Sequence, residues 1–320
     1  MKRFEVRIQN IAAIAILMLL FVPAVWSDLS SAGPKKSARS HKVDFNFVKN
    51  QIVLSVFIKG RGPFNMLLDT GVVPSAIDLK LAEELSLPLE RENAGNAAGR
   101  GNDKIEVIPT KIKDLKINRK KYGDIEAVAL NLEHLGKPLG MKLHGILGYS
   151  LLKDKIMRID YQNKTVEFFG SRKDLDKKIR GSAYREKFTF EDSDIIPVVR
   201  GVRINDQNFI ASIDTGSSLN VEIYSHQLDR LKLGNILDEN KKGATIVGGR
   251  GKEEVFHSKV GLIRFGPNEF ADQEVTISSV KNKDQTRMGN IGNQFLKNFV
   301  FSIDYPGREI ILEKAEMSAN

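Results

Sequence analysis

The tripeptide Asp-Thr-Gly occurs twice in the chain, at Asp69-Thr70-Gly71 and at Asp214-Thr215-Gly216. Two carboxylates brought together can hydrolyse an amide. One, ionised, takes a proton from water, while the other, protonated, polarises or protonates the scissile group. Carboxylates held close do not readily ionise together, so such a pair shares a proton and titrates as a unit. Thr and Gly suit the loop that carries each acid: the hydroxyl can bond across to the other copy, and Gly lets backbone approach closely. A single Asp-Thr-Gly is weak evidence, because Asp and Gly are common where a strand runs into a turn.

The surroundings of the two copies give them weight. Phe64-Asn65-Met66-Leu67-Leu68 precedes the first and Phe209-Ile210-Ala211-Ser212-Ile213 the second, with the aspartates 145 residues apart. A second block, 145–168, returns at 289–312, an offset of 144 that aligns Gly145/Gly289, Gly148/Gly292, Leu152/Leu296, Asp160/Asp304 and Tyr161/Tyr305. Two blocks repeated in the same order at nearly one offset indicate a duplicated domain.

Each copy reads as β-rich. Apolar runs at 52–58 and 64–68 flank Gly60-Arg61-Gly62, and runs at 197–204 and 209–213 flank Asn205-Asp206, both hairpin signals. After each Asp-Thr-Gly the spacing predicts a helix, over 74–85 with Ile77, Leu81 and Leu85 on one face, and over 221–231 with Tyr224, Leu228 and Leu231. A short helix (150–154, 294–298) and a final hairpin around Asn163 and Gly307 close each copy. Asp160 and Asp304 stand at strand ends before those turns, where Asp is ordinarily structural.

In these motifs the chain resembles the retropepsin- and pepsin-like aspartic peptidases, and most closely the retropepsin-type domains of bacterial exported proteins. Leu67-Leu68-Asp69-Thr70-Gly71 and Ser212-Ile213-Asp214-Thr215-Gly216 carry the resemblance, with the stretches Ile146-Leu147-Gly148 and Asn290-Ile291-Gly292 that would cross behind each loop. It covers about 45–316 and implies a mostly all-β fold: two similar closed β-barrel lobes with short helices, a cleft between them, and a water held by both aspartates. Asp69 and Asp214 are then the catalytic candidates, with Thr70, Gly71, Thr215, Gly216 and Ser217 supporting the loops. Val72 follows the first motif where Ala or Ser is usual, whereas Ser217 follows the second. Asn290 is polar where the crossing stretch is normally apolar. Flaps would fall at 94–107 and 243–255, carrying Gly99 and Gly101, and Gly249 and Gly251, without a pepsin-like tyrosine. A cover over substrate and a hairpin tip without catalytic role both fit them.

The organisation expected from composition is as follows. Lys2, Arg3 and Arg7 precede an apolar run at 11–26 and small residues at Ser27, Ser30, Ser31 and Ala32, the pattern of a signal peptide over 1–27. The rival, an uncleaved anchor that would give transient membrane association, has only 16 apolar-run residues, interrupted by Pro23, against the ~20 of a spanning helix. Residues 28–44 read as a flexible spacer, 45–170 as lobe one, 171–187 as a charged linker and 188–316 as lobe two. Export to the periplasm or the exterior follows from that leader. The chain has no cysteine, which excludes disulfides, thiolate metal sites and a cysteine nucleophile. Five histidines lack metal-ligand spacing, so neither metal nor cofactor is expected. The net charge of +9 is spread along the sequence as a solubilising surface, with no nucleic-acid motif. The function indicated is aspartic endopeptidase activity on peptide or protein substrates by a monomer. The alternative is an inactive peptide-binding module, against which stands the retention of both Asp and both Thr.

Overall fold

The computed structural model describes residues 40–98, 104–191, 194–237, 242–246, 252–279 and 286–315. Runs of Val, Ile and Phe broken by Gly, Asn and Asp turns make these residues mostly β. The chain opens with β1 (Ser40–Asp44), β2 (Asn46–Val48), β3 (Gln51–Ile58), β4 (Arg61–Leu68), β5 (Ser75–Asp78) and α1 (Leu79–Glu84). It continues through β6 (Gly95–Ala98), β7 (Lys104–Ile117), β8 (Lys120–Leu130), α2 (Glu133–Leu139), β9 (Gly145–Leu147) and α3 (Tyr149–Leu152). β10 (Ile156–Asp160), β11 (Thr165–Phe169), α4 (Arg172–Asp176) and β12 (Tyr184–Lys187) follow. The second half contains β13 (Thr189–Glu191), β14 (Asp194–Ile204), β15 (Gln207–Ile213), β16 (Val221–Tyr224), β17 (Lys242–Ile246) and β18 (Lys252–Phe265). It ends with β19 (Asn268–Ser278), β20 (Gly289–Ile291), α5 (Asn293–Leu296), β21 (Phe299–Asp304) and β22 (Glu309–Lys314).

Two eight-stranded sheets have the same strand order. The first runs β2-β3-β4-β9-β5-β8-β7-β6, the second β13-β14-β15-β20-β16-β19-β18-β17, and the further pairings β3–β7 and β14–β18 also correspond. In each, the short crossing strand lies between the strand that ends at Asp-Thr-Gly and the one after it: β9 is parallel to β4 and antiparallel to β5, as β20 is to β15 and β16. Alternation along β4 sends Met66 and Leu68, both fully buried, into the main core, as Ala211 and Ile213 do from β15. Burying each such large side chain is worth about 1.5–3 kcal/mol, so the strand end beside each aspartate is firmly anchored.

The expected final hairpins form, but they leave their own halves. β10–β11 and β21–β22 join β1 and β12 in a six-stranded sheet, ordered β1-β11-β10-β21-β22-β12, with Ile156 opposite Asp304. Asp160 accepts from Asn163 N (3.0 Å) and Asp304 from Gly307 N (2.7 Å), so both are turn residues. The last residues of the expected spacer, 40–44, are strand β1 paired with β11, because Val43 and the following Phe45 bury themselves in the core. The expected linker is also structured. Ser171 caps α4, Leu175 is fully buried, and Tyr184–Lys187 pairs with β22. Within it Arg172 meets Asp176 and Asp304, each at 3.1 Å, and Glu309.

The helices expected directly after each aspartate loop are corrected too. Residues 75–78 and 221–224 are fully buried strands, and helix begins only at Leu79; the second half has a 3-10 turn at Ser225–Gln227. Pairing on both edges, with β9 and β8 or with β20 and β19, gives these short apolar runs backbone partners that a helix would forgo. At the expected flaps, β6 pairs with β7 and β17 with β18 in antiparallel hairpins. Gly99, Gly101, Gly249 and Gly251 lie outside the described residues.

Candidate active site

The two Asp-Thr-Gly loops meet. Thr70 Oγ1 donates to Ile213 O (2.7 Å) and accepts from Thr215 N (3.0 Å); Thr215 Oγ1 donates to Leu68 O (2.9 Å) and accepts from Thr70 N (3.0 Å). These reciprocal bonds between buried threonines tie the two strand ends together. Within each loop the amide two residues on donates to its own aspartate: Gly71 N to Asp69 Oδ1 (2.6 Å) and Gly216 N to Asp214 Oδ1 (2.9 Å). Each glycine also faces the opposite acid. A Cβ on Gly71 would lie 2.9 Å from Asp214 Oδ1, and one on Gly216 would overlap the Asp69 carboxylate. The Ser217 hydroxyl accepts from Leu219 N (3.3 Å) within the second loop, while Val72 is partly buried against the apolar cluster of Leu67 and Ile146.

The second loop is braced by residues outside the motifs. Asn293 Nδ2 donates to Thr215 O (2.6 Å) and to Asn50 O (2.8 Å), and its Oδ1 accepts from Tyr161 Oη (2.9 Å). Gln51 Nε2 donates to Gly216 O (2.7 Å). Tyr161 belongs to the hairpin of the first half, so that half steadies the loop of the second. Its counterpart Tyr305 is buried with no hydrogen-bond partner for its hydroxyl among the described residues. Burial first, then Asp69, Tyr149 and Asp214, holds the Tyr305 hydroxyl far above its ordinary pKa. The recurrence of Tyr161 and Tyr305 was the available sequence signal; for Asn293 and Gln51 there was none. Asn293→Ala should leave Thr215 O and Asn50 O without this donor, at about 1–3 kcal/mol for each buried group. Urea unfolding is expected to show on the order of 3 kcal/mol of lost stability.

Burial and, after it, the neighbouring Asp214 carboxylate hold the Asp69 carboxyl well above the usual carboxylate range, against the opposing pull of the Gly71 and Gly216 amides. The folded chain therefore keeps a proton that the unfolded chain has released. Stability falls as pH rises from the ordinary value toward the raised one. Asp69→Asn has no such group. Its melting temperature relative to wild type is expected to climb as pH rises above about 4, the ordinary carboxylate value; a difference that stays flat with pH would contradict this.

The arrangement pairs a buried carboxyl, held toward its protonated form, with a second carboxylate that is half-buried. Residues 54–151 match the family model described as Aspartyl protease. The match spans β3 to α3 and so includes the Asp69 loop and crossing strand β9; the second half presents the same strand order outside it. The aspartyl protease match and the geometry thus fall on the same loop. A comparison with curated proteins gives no match. Among the described residues no group of three or more His, Cys, Asp or Glu could hold a metal ion, and no helix is long and apolar enough to cross a membrane.

Proposed function

We propose that the chain is an aspartic endopeptidase in which Asp69 and Asp214 together activate a water for attack on a peptide bond. The observation that carries this is the tied pair of loops: reciprocal threonine bonds set two aspartates against each other's glycine, one from each half. Asp69, whose pKa is raised, keeps the shared proton and donates it toward the amide; Asp214 is the base that takes the proton of water. The pairings β3–β7 and β14–β18 support two closed barrels flanking a cleft, with the β6–β7 and β17–β18 hairpins as its covers. Peptide or protein chains are the substrates. The basic and apolar leader supports export to the periplasm or exterior, as cleaved signal or retained anchor.

Unfolded casein offered to the purified protein at mild acidity is expected to yield peptides, whereas binding without new amino termini would favour a peptide-binding module instead. Because one chain supplies both acids, the active species is a monomer. Specific activity should stay constant on dilution while sedimentation reports one chain; activity that collapses in step with a dimer would overturn it.

A further inference from the structure

The hairpins β7–β8 and β18–β19 correspond residue for residue. β7 and β18 are each 14 residues long, β8 and β19 each 11, and two turn residues join each pair. Lys116, Arg119, Lys120 and Lys121 of the first tip therefore occupy the places of Arg264, Pro267, Asn268 and Glu269 of the second. In register across the second tip, Arg264 meets Glu269 at 2.7 Å. Across the first, Lys116 stands opposite Lys121. Like charges directly opposite each other destabilise a strand pair. Asp114, 3.4 Å from Lys116 and 4.0 Å from Lys121, sets one negative charge against two positive ones. Arg119, Lys120 and Lys121 are exposed. The second hairpin shows that this fold accepts an opposite-charge pair at the same register, so packing does not call for four cations at the first.

The basic tip lies against the strand by which the chain enters the described residues. His41, on β1, places Nδ1 3.0 Å from the hydroxyl of Tyr122, on β8, and the Lys120 ammonium sits 5.9 Å over the Tyr122 ring. Burial first, then the charge of Lys120, lowers the His41 pKa, so the field of the tip is felt at β1. The sequence before β1 carries the apolar run at 11–26, then Lys35, Lys36 and Arg39. From Trp26 to Ser40 an extended chain reaches at most about 50 Å. A leader lodged in a bilayer would therefore tether the tip near the headgroups.

We propose that the β7–β8 tip, through Lys116, Arg119, Lys120 and Lys121, docks on a bilayer surface rich in anionic phospholipid. The proposal goes beyond the peptidase reading and does not depend on it. Lys and Arg side chains donate charge-assisted hydrogen bonds to phosphate oxygens. Each one close to an anionic surface strengthens partitioning on the order of fivefold. The attraction fades over a Debye length, about 10 Å at 0.1 M salt, so it acts on a tip already held near the membrane. The apolar leader favours a bilayer over nucleic acid, the other polyanion that such a tip would hold.

The test is hydrogen exchange of the full chain incubated with vesicles of phosphatidylcholine, with and without phosphatidylglycerol, read on peptides that span each tip. Exchange at 116–122 is expected to slow only where phosphatidylglycerol is present, and to recover as salt is raised. Exchange at 264–270 should be the same on both vesicles. Replacing Lys116→Gln, Lys120→Gln and Lys121→Gln together removes roughly a hundredfold of the attraction and should abolish the protection. These substitutions sit at a solvated tip, and unchanged exchange of the core strands confirms that the variant is folded. Protection at 116–122 that ignores phosphatidylglycerol, survives the triple substitution or appears equally at 264–270 overturns the proposal. So does a tip that retards duplex DNA through the same lysines while responding to neither vesicle.

Discussion

Asp69→Asn and Asp214→Asn are each expected to abolish measurable turnover while leaving the melting transition cooperative. General acid–base assistance alone is worth about 10²–10⁴-fold, and in the proposed mechanism each carboxylate performs one half of a coupled proton transfer. An amide can neither take the proton of water at position 214 nor give a proton to the leaving group at 69. Because the pair acts as a unit, the double variant should be scarcely worse than either single one. Initial rates on one peptide measure all three. A single variant within a few-fold of wild type would remove its aspartate from the chemistry, whatever the fold suggests.

The second large effect comes from a residue with no functional side chain. Gly216 faces Asp69 so closely that an added Cβ would overlap its carboxylate, whereas at Gly71 the added atom would lie 2.9 Å from Asp214 Oδ1. The threonine bonds between the loops leave little freedom to retreat, since Thr70 and Thr215 are buried and each is bonded to the opposite strand end. Gly216→Ala must therefore displace Asp69 itself. A misplacement of about 1 Å in a reacting group can cost about 10²-fold, and that loss in kcat/KM is expected, with Gly71→Ala milder. Equal effects at the two glycines would show that the loops relax more freely than this packing implies.

Much of this site was legible in the sequence because its signals are local. Asp-Thr-Gly, the apolar run before it and the crossing Ile-Leu-Gly each occupy a few consecutive residues, and their repetition gave the two-fold correspondence of the sheets. Elements that depend on distant partners were not legible. The buried strand at 75–78 is a short apolar run, which periodicity alone does not separate from helix; pairing on both edges decides it. The shared six-stranded sheet joins β10 to β21 across more than a hundred residues, so Ser40–Asp44 and Tyr184–Lys187 looked like spacer and linker until their partners were in place. Asn290 stood out as a polar residue in an apolar stretch. That it bonds to Ser212 and Glu222, and through Glu222 to Ser278, required the register of four neighbouring strands.

The joint action of the two aspartates is tested most directly by titrating casein hydrolysis with a pepstatin-type inhibitor, whose secondary hydroxyl takes the place of the water between two carboxyl groups. Activity is expected to fall linearly to zero at one inhibitor per chain, with binding lost in both Asp69→Asn and Asp214→Asn. Casein hydrolysis that continues under saturating inhibitor, or that ends only at a different stoichiometry, would contradict a single site built from Asp69 and Asp214.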